Sequence, residues 1–369
     1  MWMMIFMVLP LIAIAYVGWH VWVMLPLSVM WKVAVIAVGV LSFVLLFLNF
    51  GRHFDGLPLW IARVAYEVGT SSLFILLYVV MVFLALDLGR LFRLVPKSLL
   101  YQNGYAAVAV FLFIFGLFLY GNLHYKHKVR VVLELPSQKP LPRDYKVVMA
   151  SDLHIGYHNP RRELARWVDM MNAEEPDFIL IAGDIIDGSM RPLQEEKMAV
   201  EFRRLKASVY ACLGNHEFYA GSSLAKQFYE KAGIHLLVDE SVVIDSCIAV
   251  IGRDDQTNRR RKTLGELMGS VVADSSSLST LYNIVLDHQP YHLERTELAG
   301  ADFQLSGHTH RGQVWPISWI TDRLYECSWG SYQRGNTRYY VSSGLGIWGG
   351  KFRIGTQSEY VVATITSKR

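Results

Sequence analysis

The stretch FQLSGHTHRGQ, residues 303–313, begins like a strand and ends like a ligand set. Phe303 and Leu305 alternate with polar neighbours, Gly307 frees the backbone, and His308 and His310 follow with one residue between them;. On an extended segment that spacing points both imidazoles to one side, because side chains alternate along a strand. A pair of this kind alone is weak, since surface and satisfied core histidines are common. Four other stretches share its grammar: KVVMASDLH (146–154), FILIAGDIID (178–187), VYACLGNHE (209–217) and YNIVLDHQP (282–290). Each is a short apolar run that closes on Asp, Asn or His.

The segments between these runs read as helices. Leu164, Trp167, Val168 and Met171 form one apolar face, with Asn159 expected as the N-cap and Pro160 in the first turn;. A second helix is expected over 223–232, closed by Gly233;. Strands alternating with helices predict a layered α/β domain, whose ligands gather at the carboxyl ends of strands. The polar clusters all fall there. Their donors are Asp152, His154, Asp184, Asn215, His288, His308 and His310: carboxylates, imidazoles and an amide, without a thiolate. Such a set suits Mn, Fe, Zn or Mg rather than a soft ion. Cys212, Cys247 and Cys327 have no paired spacing, so they read as small buried apolar residues, not as a disulfide framework;.

Upstream the composition changes. The chain is 52% hydrophobic over 369 residues, and its mean hydropathy is +0.25. Much of that apolar content lies before residue 126, in runs at 1–25, 33–50, 71–88 and 105–123. Each run is long enough to cross a hydrocarbon core of roughly 30 Å, so residues 1–125 read as four transmembrane helices. No Lys or Arg precedes the first run, which argues against a cleaved signal peptide;. Glu67 and Asp87 are expected at run ends, in the interface;. Arg52, Arg63, Lys126, Lys128 and Arg130 flank one side and Lys32, Arg90, Arg93 and Lys97 the other, an excess of one charge that leans toward a cytoplasmic catalytic domain in the inner membrane;. Residues 126–144, with the proline-rich ELPSQKPLPR at 134–143, read as a linker, and 145–369 as the catalytic domain;. The net charge of +4 is small and spread out, so no nucleic-acid partner is expected;.

The five clusters in this order resemble the calcineurin-like metallophosphoesterase superfamily, with its ordered motifs DxH, GDxxD, GNHE, a solitary H and GHxH. Here these are Asp152 and His154; Gly183, Asp184 and Asp187; Gly214, Asn215, His216 and Glu217; His288; and Gly307, His308 and His310. SGHTHRGQ, the following VWP and residues 339–365 resemble the membrane-associated bacterial phosphohydrolases within it, with Arg311 where their octet has glycine. The resemblance implies a four-layer β-sandwich flanked by helices, holding two divalent ions, manganese foremost. By that resemblance one ion would be held by Asp152, His154, Asp184 and His310. The other would be held by Asp184, Asn215, His288 and His308, with Asp184 bridging. His216 and Asp184 would be the catalytic residues, with Asp187 and Glu217 as supporting partners.

The activity so implied is metal-dependent hydrolysis of a phosphoester or pyrophosphate bond. Tethering at a bilayer favours a lipid-linked or glycolipid substrate, of the kind of UDP-diacylglucosamine. The alternatives are a phosphodiesterase on soluble nucleotides and a non-catalytic membrane-bound module. Arg311 is either a phosphate clamp or a tolerated surface residue. The basic run Arg259, Arg260, Arg261 and Lys262 is either a solvated loop or a grip on anionic headgroups;. The aromatics Trp315, Trp319, Trp329, Tyr332, Trp348 and Phe352 line an acyl entrance, dock on the bilayer or fill a core;.

Overall fold

The structure is a computed structural model that describes residues 2–49, 53–274 and 280–367. Two compact units divide the chain, Met1–His124 with Gly349–Phe352, and Tyr125–Trp348 with Arg353–Arg369.

The first unit is built from helices α1 (Trp2–Met24), α2 (Val29–Asn49), α3 (Leu59–Leu91) and α4 (Gly104–Lys126). Four spanning helices were expected. Among the described residues three, α2, α3 and α4, are long and apolar enough to cross a membrane, while α1 qualifies only as the shorter apolar stretch Val8–Met24. Helix α3 runs for 33 residues, which at 1.5 Å per residue exceeds a hydrocarbon core of roughly 30 Å. Glu67 and Asp87, at the ends of the third apolar run, both fall within α3, which continues through the polar residues that bound that run. Asp87 is satisfied across the helix pair: the Tyr16 hydroxyl donates to it at 2.6 Å and His20 Nε2 lies 3.1 Å away. A Cβ at Gly69 would sit 2.7 Å from the Leu45 carbonyl carbon, so a glycine there is what allows α3 to approach the α2 backbone.

The second unit holds two six-stranded sheets. Its strands are β1 (Lys128–Pro136), β2 (Tyr145–Ala150), β3 (Phe178–Ala182), β4 (Ser208–Cys212), β5 (His235–Leu236), β6 (Glu240–Ile244), β7 (Ile248–Gly252), β8 (Tyr282–Leu286), β9 (Phe303–Ser306), β10 (Gly330–Arg334), β11 (Thr337–Val341) and β12 (Ser358–Thr366). Its helices are α5 (Arg161–Ala173), α6 (Arg191–Glu195), α7 (Ala199–Phe202), α8 (Asn215–Ala220), α9 (Ser222–Ala232), α10 (Leu264–Asp274), α11 (Leu293–Leu298) and α12 (Ile317–Leu324). One sheet has the order β1-β12-β2-β3-β4-β5 and the other β10-β11-β9-β8-β7-β6. The pairs β2·β3·β4 and β7·β8·β9 are parallel, so their carboxyl ends open on a shared edge within each sheet.

Why these strands read as continuous apolar runs is clear from where their faces go. Val147 and Met149 pack into the core between the sheets, against Ile248, Val250, Ile284 and Leu305. Their neighbours Val148 and Ala150 face outward, under α5 and its residues Leu164, Trp167, Val168 and Met171. On the far side Ala249, Ile251 and Val285 are covered by Leu264, Leu267, Met268 and Val271 of α10. Both faces of each sheet are thus buried, and the order helix, sheet, sheet, helix gives the four layers. Fully burying a side chain such as Val148 or Ile181 contributes roughly 1.5–3 kcal/mol. The three cysteines are buried and free.

Two local expectations are corrected. Residues 126–144 are not all linker: β1 pairs in parallel with β12 along its whole length, from Lys128 opposite Ser358 to Pro136 opposite Thr366. Val129, Val131, Leu133 and Leu135 alternate with period two, a strand signal that the prolines just beyond it obscured. Asn159 does not cap α5; Pro160 occupies that position without a side-chain cap bond. The Asn159 amide instead donates to the carbonyls of Leu153 and His154 at 3.0 and 3.1 Å, and its oxygen accepts from Tyr125 at 2.8 Å.

Candidate metal centre

Each candidate ligand lies within a few residues of a strand's carboxyl end: Asp152 and His154 after β2, Asp184 after β3, Asn215 after β4, His288 after β8, and His308 and His310 after β9. Their side chains converge, but not by strand alternation. Asp152, His154, Asp184, His308 and His310 all have positive φ, between 44° and 70°. The chain turns through left-handed conformations as it leaves each strand, at a cost of order 1–3 kcal/mol per residue that the buried surroundings must offset. Gly183, with φ 75°, sits so close to its neighbours that a Cβ there would lie 2.8 Å from both the Gly214 amide nitrogen and His288 Nδ1.

Two clusters result, joined by one aspartate. Asp152, His154 and His310 form one, and Asp184, His288 and His308 the other, with the candidate ligand atoms of each within 4.8 Å of one another. His154 Nε2 and His310 Nε2 face each other at 3.1 Å, and His310 Nε2 is 3.5 Å from Asp152 Oδ1. Asp184 Oδ2 lies 3.7 Å from His154 Nε2 and 3.1 Å from His288 Nε2, so the same oxygen addresses both clusters. Asn215 Oδ1 is 2.8 Å from His308 Nδ1. Atoms bound about 2.0–2.2 Å from a common cation stand roughly 3.0–3.5 Å apart, and the pairs here are separated by 2.8–3.7 Å. Two imidazole nitrogens pointed at one another, and a buried His288 Nε2 aimed at the Asp184 oxygen that also faces His154, fit a cation better than they fit each other;.

The remaining atoms of these residues are spent on holding them still. Asp184 Oδ1 accepts from the His216 amide at 2.9 Å. Asp152 accepts from the His308 amide at 3.0 Å and from the Ser151 hydroxyl, tying the end of β2 to the end of β9. His288 Nδ1 is fixed by the Ala182 carbonyl at 2.8 Å. Asp187 Oδ1 stands 3.4 Å from Nδ1 of both His154 and His216. Glu217 accepts from the amides of Gly214 (2.7 Å), Ile186 (2.9 Å) and Asp184 (3.1 Å) and from the Tyr229 hydroxyl at 3.0 Å. It thereby clamps the turn after β3 to the start of α8.

Electrostatics follow from packing these groups together in a buried site. Burial would raise the Asp184 carboxyl, but His288 and His216 outweigh it and hold it well below the usual range. Burial would lower His216, yet Asp184 and Asp187 raise it to about 9. His308 falls to about 4 through burial and the charge of His288, and His310 is lowered by burial and by His154. Glu217 rises to about 7 through burial and the nearby Asp184. His308 and His310 are thus kept as neutral donors and Asp184 as a carboxylate, while burial raises the Asp152 carboxyl and, against burial, Asp184 raises His288 well above the usual range; a divalent cation would displace the protons that those two hold.

His216 is placed beside the pair, its ring 4.5 Å from that of His154 and its Nδ1 3.1 Å from the Asp187 carbonyl. Arg311 is stacked on Trp329, its guanidinium carbon 3.9 Å from the ring centroid. Two residues the motifs did not single out also belong to the centre. The fully buried Arg353 bonds the His310 carbonyl, and His158 Nε2 lies 2.5 Å from the Ile347 carbonyl with its Nδ1 4.0 Å from Asp187. The one available signal was a charged or titratable side chain in an apolar setting, as in KFRIG at 351–355.

Residues 145–312 match the family model described as calcineurin-like phosphoesterase. An uncharacterized metallophosphoesterase of Aquifex aeolicus is 30% identical over 62% of this chain and 88% of its own. One of Campylobacter jejuni is 30% identical over 65% of this chain, and the chain spans only 63% of that relative. A Danio rerio protein named as a transmembrane protein with metallophosphoesterase domain is 27% identical over 83% of this chain and 74% of its own. With these likenesses and a donor set of matching order, the chain belongs to the calcineurin-like metallophosphoesterases.

Proposed function

We propose that the protein is a membrane-tethered phosphoester or pyrophosphate hydrolase that works with two divalent cations, one held by Asp152, His154, Asp184 and His310 and the other by Asp184, Asn215, His288 and His308. The observation that carries this reading is Asp184 Oδ2 facing an imidazole of each cluster. Bound there, the cations supply Lewis-acid polarisation of a phosphoryl group and a nucleophile at neutral pH. The chain's own residues do the rest. Asp184 balances the charge of both cations, Asp187 orients His154 and His216, and His216, which Asp187 holds by its carbonyl and carboxylate, donates a proton to the departing oxygen or a hydrogen bond to the phosphoryl group;. Manganese is the metal we expect first, since the set mixes carboxylate, amide and imidazole donors.

The substrate we infer is lipid-linked, a phospho-glycolipid of the UDP-diacylglucosamine kind. Support comes from the segment that follows His310. On α12, Trp319, Ile320 and Leu324 are 65%, 57% and 70% exposed, an apolar face that water does not favour and a bilayer surface would cover;. The catalytic unit then faces the cytoplasm from the inner membrane, as the flanking charges favour. Hydrolysis of bis-p-nitrophenyl phosphate by the full chain with and without Mn²⁺ tests the chemistry, and no turnover by fully metallated protein would overturn it. Incubation with a total lipid extract tests the substrate. Loss of a phospholipid or glycolipid species supports the lipid reading; loss of added nucleotides alone replaces it with the soluble phosphodiesterase.

A further inference from the structure

The basic run has a place in the fold that the proposed chemistry does not use. Strands β7 and β8 are parallel neighbours, and the chain leaves them as Arg253 and as Asp287–His288. The end that launches a candidate metal ligand therefore adjoins the end that launches a cation. Next to it opens a cleft of about 590 Å³ whose charged walls are Arg253, Arg259, Arg261, Lys262, His292 and Arg295. Among the described residues, neither Asp nor Glu lines it. Thr263 and Leu264, at the amino end of α10, complete one wall and turn the positive end of that helix toward it;.

Beneath the cleft Asp287 is shared by two guanidiniums, Arg253 Nη1 at 2.6 Å and Arg261 Nη1 at 3.0 Å. At the wall of His292 and Arg295, Glu294 stands 3.2 Å from His292 Nδ1 and 3.9 Å from Arg295 Nε, so two carboxylates, Asp287 and Glu294, face the five side chains Arg253, Arg259, Arg261, Lys262 and Arg295, and an excess of positive charge is left. Arg253 is only 6% exposed, and its buried Nε–H has no hydrogen-bond partner. A buried donor left unpaired costs about 1–3 kcal/mol, which an acceptor entering the cleft would relieve. Arg259 and Lys262 lie exposed at the rim, where long cationic side chains close over an incoming anion;. Planar guanidiniums in such a fork match the oxygens of phosphate, and several cations together favour a group with more than one negative charge over a single carboxylate.

We propose that this cleft binds a phosphorylated group carrying at least two negative charges, separate from the phosphoryl group that the metal cluster would act on. The inference rests on the cleft's own residues and holds whether or not the hydrolase reading does. A free diphosphate and a phosphorylated lipid headgroup share this chemistry. The full metallated chain is placed in nanodiscs of neutral phosphatidylcholine and titrated with methylenebisphosphonate, whose P–C–P link is not hydrolysed. In a second arm the discs contain a phosphoinositide, and the release of a fluorescent methylenebisphosphonate conjugate is followed.

The comparison is with the triple variant Arg259→Ala, Lys262→Ala and Arg295→Ala, whose sites are exposed and outside the core. The wild type is expected to bind the probe with a salt-sensitive affinity at least about tenfold tighter than the variant. Turnover of bis-p-nitrophenyl phosphate should be the same in both. Displacement by the phosphoinositide discs identifies a lipid headgroup as the occupant, and binding unaffected by them identifies a soluble one. Equal probe affinity in wild type and variant, or no binding by the wild type in either arm, overturns the proposal.

Discussion

Arg353 donates from Nη1 to the backbone carbonyl of His310 at 2.6 Å, and it does so with no solvent exposure at all. The same guanidinium also donates to the Ser343 carbonyl and, at 3.1 Å, to Ser358 Oγ. Burial lowers its pKa to about 10, still high enough to keep it charged at neutral pH. One rigid fork thus fixes the left-handed turn that aims His310 into the cluster. A lysine carries its three N–H donors on one nitrogen at the end of a flexible stem, so it cannot span acceptors that Nη1, Nη2 and Nε of the arginine reach separately;. In Arg353→Lys, affinity for the first divalent cation should fall about 10- to 100-fold, the usual effect of losing a partner behind a ligand. Metal titration of the variant checks this, with circular dichroism as the control for folding.

Asp184→Asn removes the charge that faces both clusters while keeping the shape and the acceptor for the His216 amide. We expect the second cation to be lost or strongly weakened, and turnover to fall by more than about 100-fold. Metal analysis should show one equivalent of cation where the wild type holds two. Two retained equivalents with near-normal turnover would be incompatible with a bridging role.

His216 has a distinct signature. A proton donor to the departing group contributes about 10²- to 10⁴-fold, and most for leaving groups that are poor without a proton. His216→Ala should therefore cost far more on an alkyl phosphodiester than on a p-nitrophenyl one, with metal content unchanged. An equal loss on both substrates would assign the histidine to phosphoryl contact alone.

Much of this centre was legible in the sequence because an apolar strand ending in a polar cluster is a local signal, and five such signals recur in a fixed order. What was not legible depends on partners distant in sequence. The side chains of Asp152 and His154 converge through positive φ, which an extended reading of their spacing misplaces. Arg353 is recognisable only when His310, more than forty positions away, is brought beneath it. β1 reads as linker in the sequence because its partner β12 lies at the other end of the chain, and a strand without a nearby partner resembles any short polar-apolar stretch. Asn159 had a good helix cap's chemistry, yet the carbonyls of Leu153 and His154 compete for the same amide.

The attachment of β1 gives a pH prediction. Glu174 accepts from Arg130 of β1 at 2.7 and 2.9 Å and from Tyr360 of β12 at 3.0 Å. Chiefly through Arg130, its pKa is lowered from 4.5 to about 2. A carboxyl whose folded pKa is depressed stabilises the fold above its unfolded pKa, and that contribution is lost as pH falls from about 4.5 toward 2. Amide exchange in Lys128–Pro136 should accelerate over this window relative to the central strand β3. In Glu174→Gln exchange should already be faster at pH 7 and show no further step in the window. A step of unchanged size in the variant would place its origin elsewhere.

The exposed face of α12 offers the sharpest separation between chemistry and location. Trp319 packs edge-on against Trp315, with ring centroids 5.3 Å apart, while Ile320 and Leu324 complete a stripe at helical spacing;. Because these side chains are exposed, replacing them leaves the cores of the two sheets untouched, and exposed substitutions usually change stability by no more than about 0.5 kcal/mol. If the stripe enters a bilayer surface, each large apolar group withdrawn from water there contributes roughly 1.5–3 kcal/mol. Trp319→Ser with Leu324→Ser should then leave turnover of a soluble phosphodiester unchanged while reducing the rate on a phospholipid presented in vesicles about tenfold or more. Equal rates on vesicle-borne substrate for wild type and variant would mean that the stripe has no part in reaching a lipid, and the case for a lipid-linked substrate would lose its structural support.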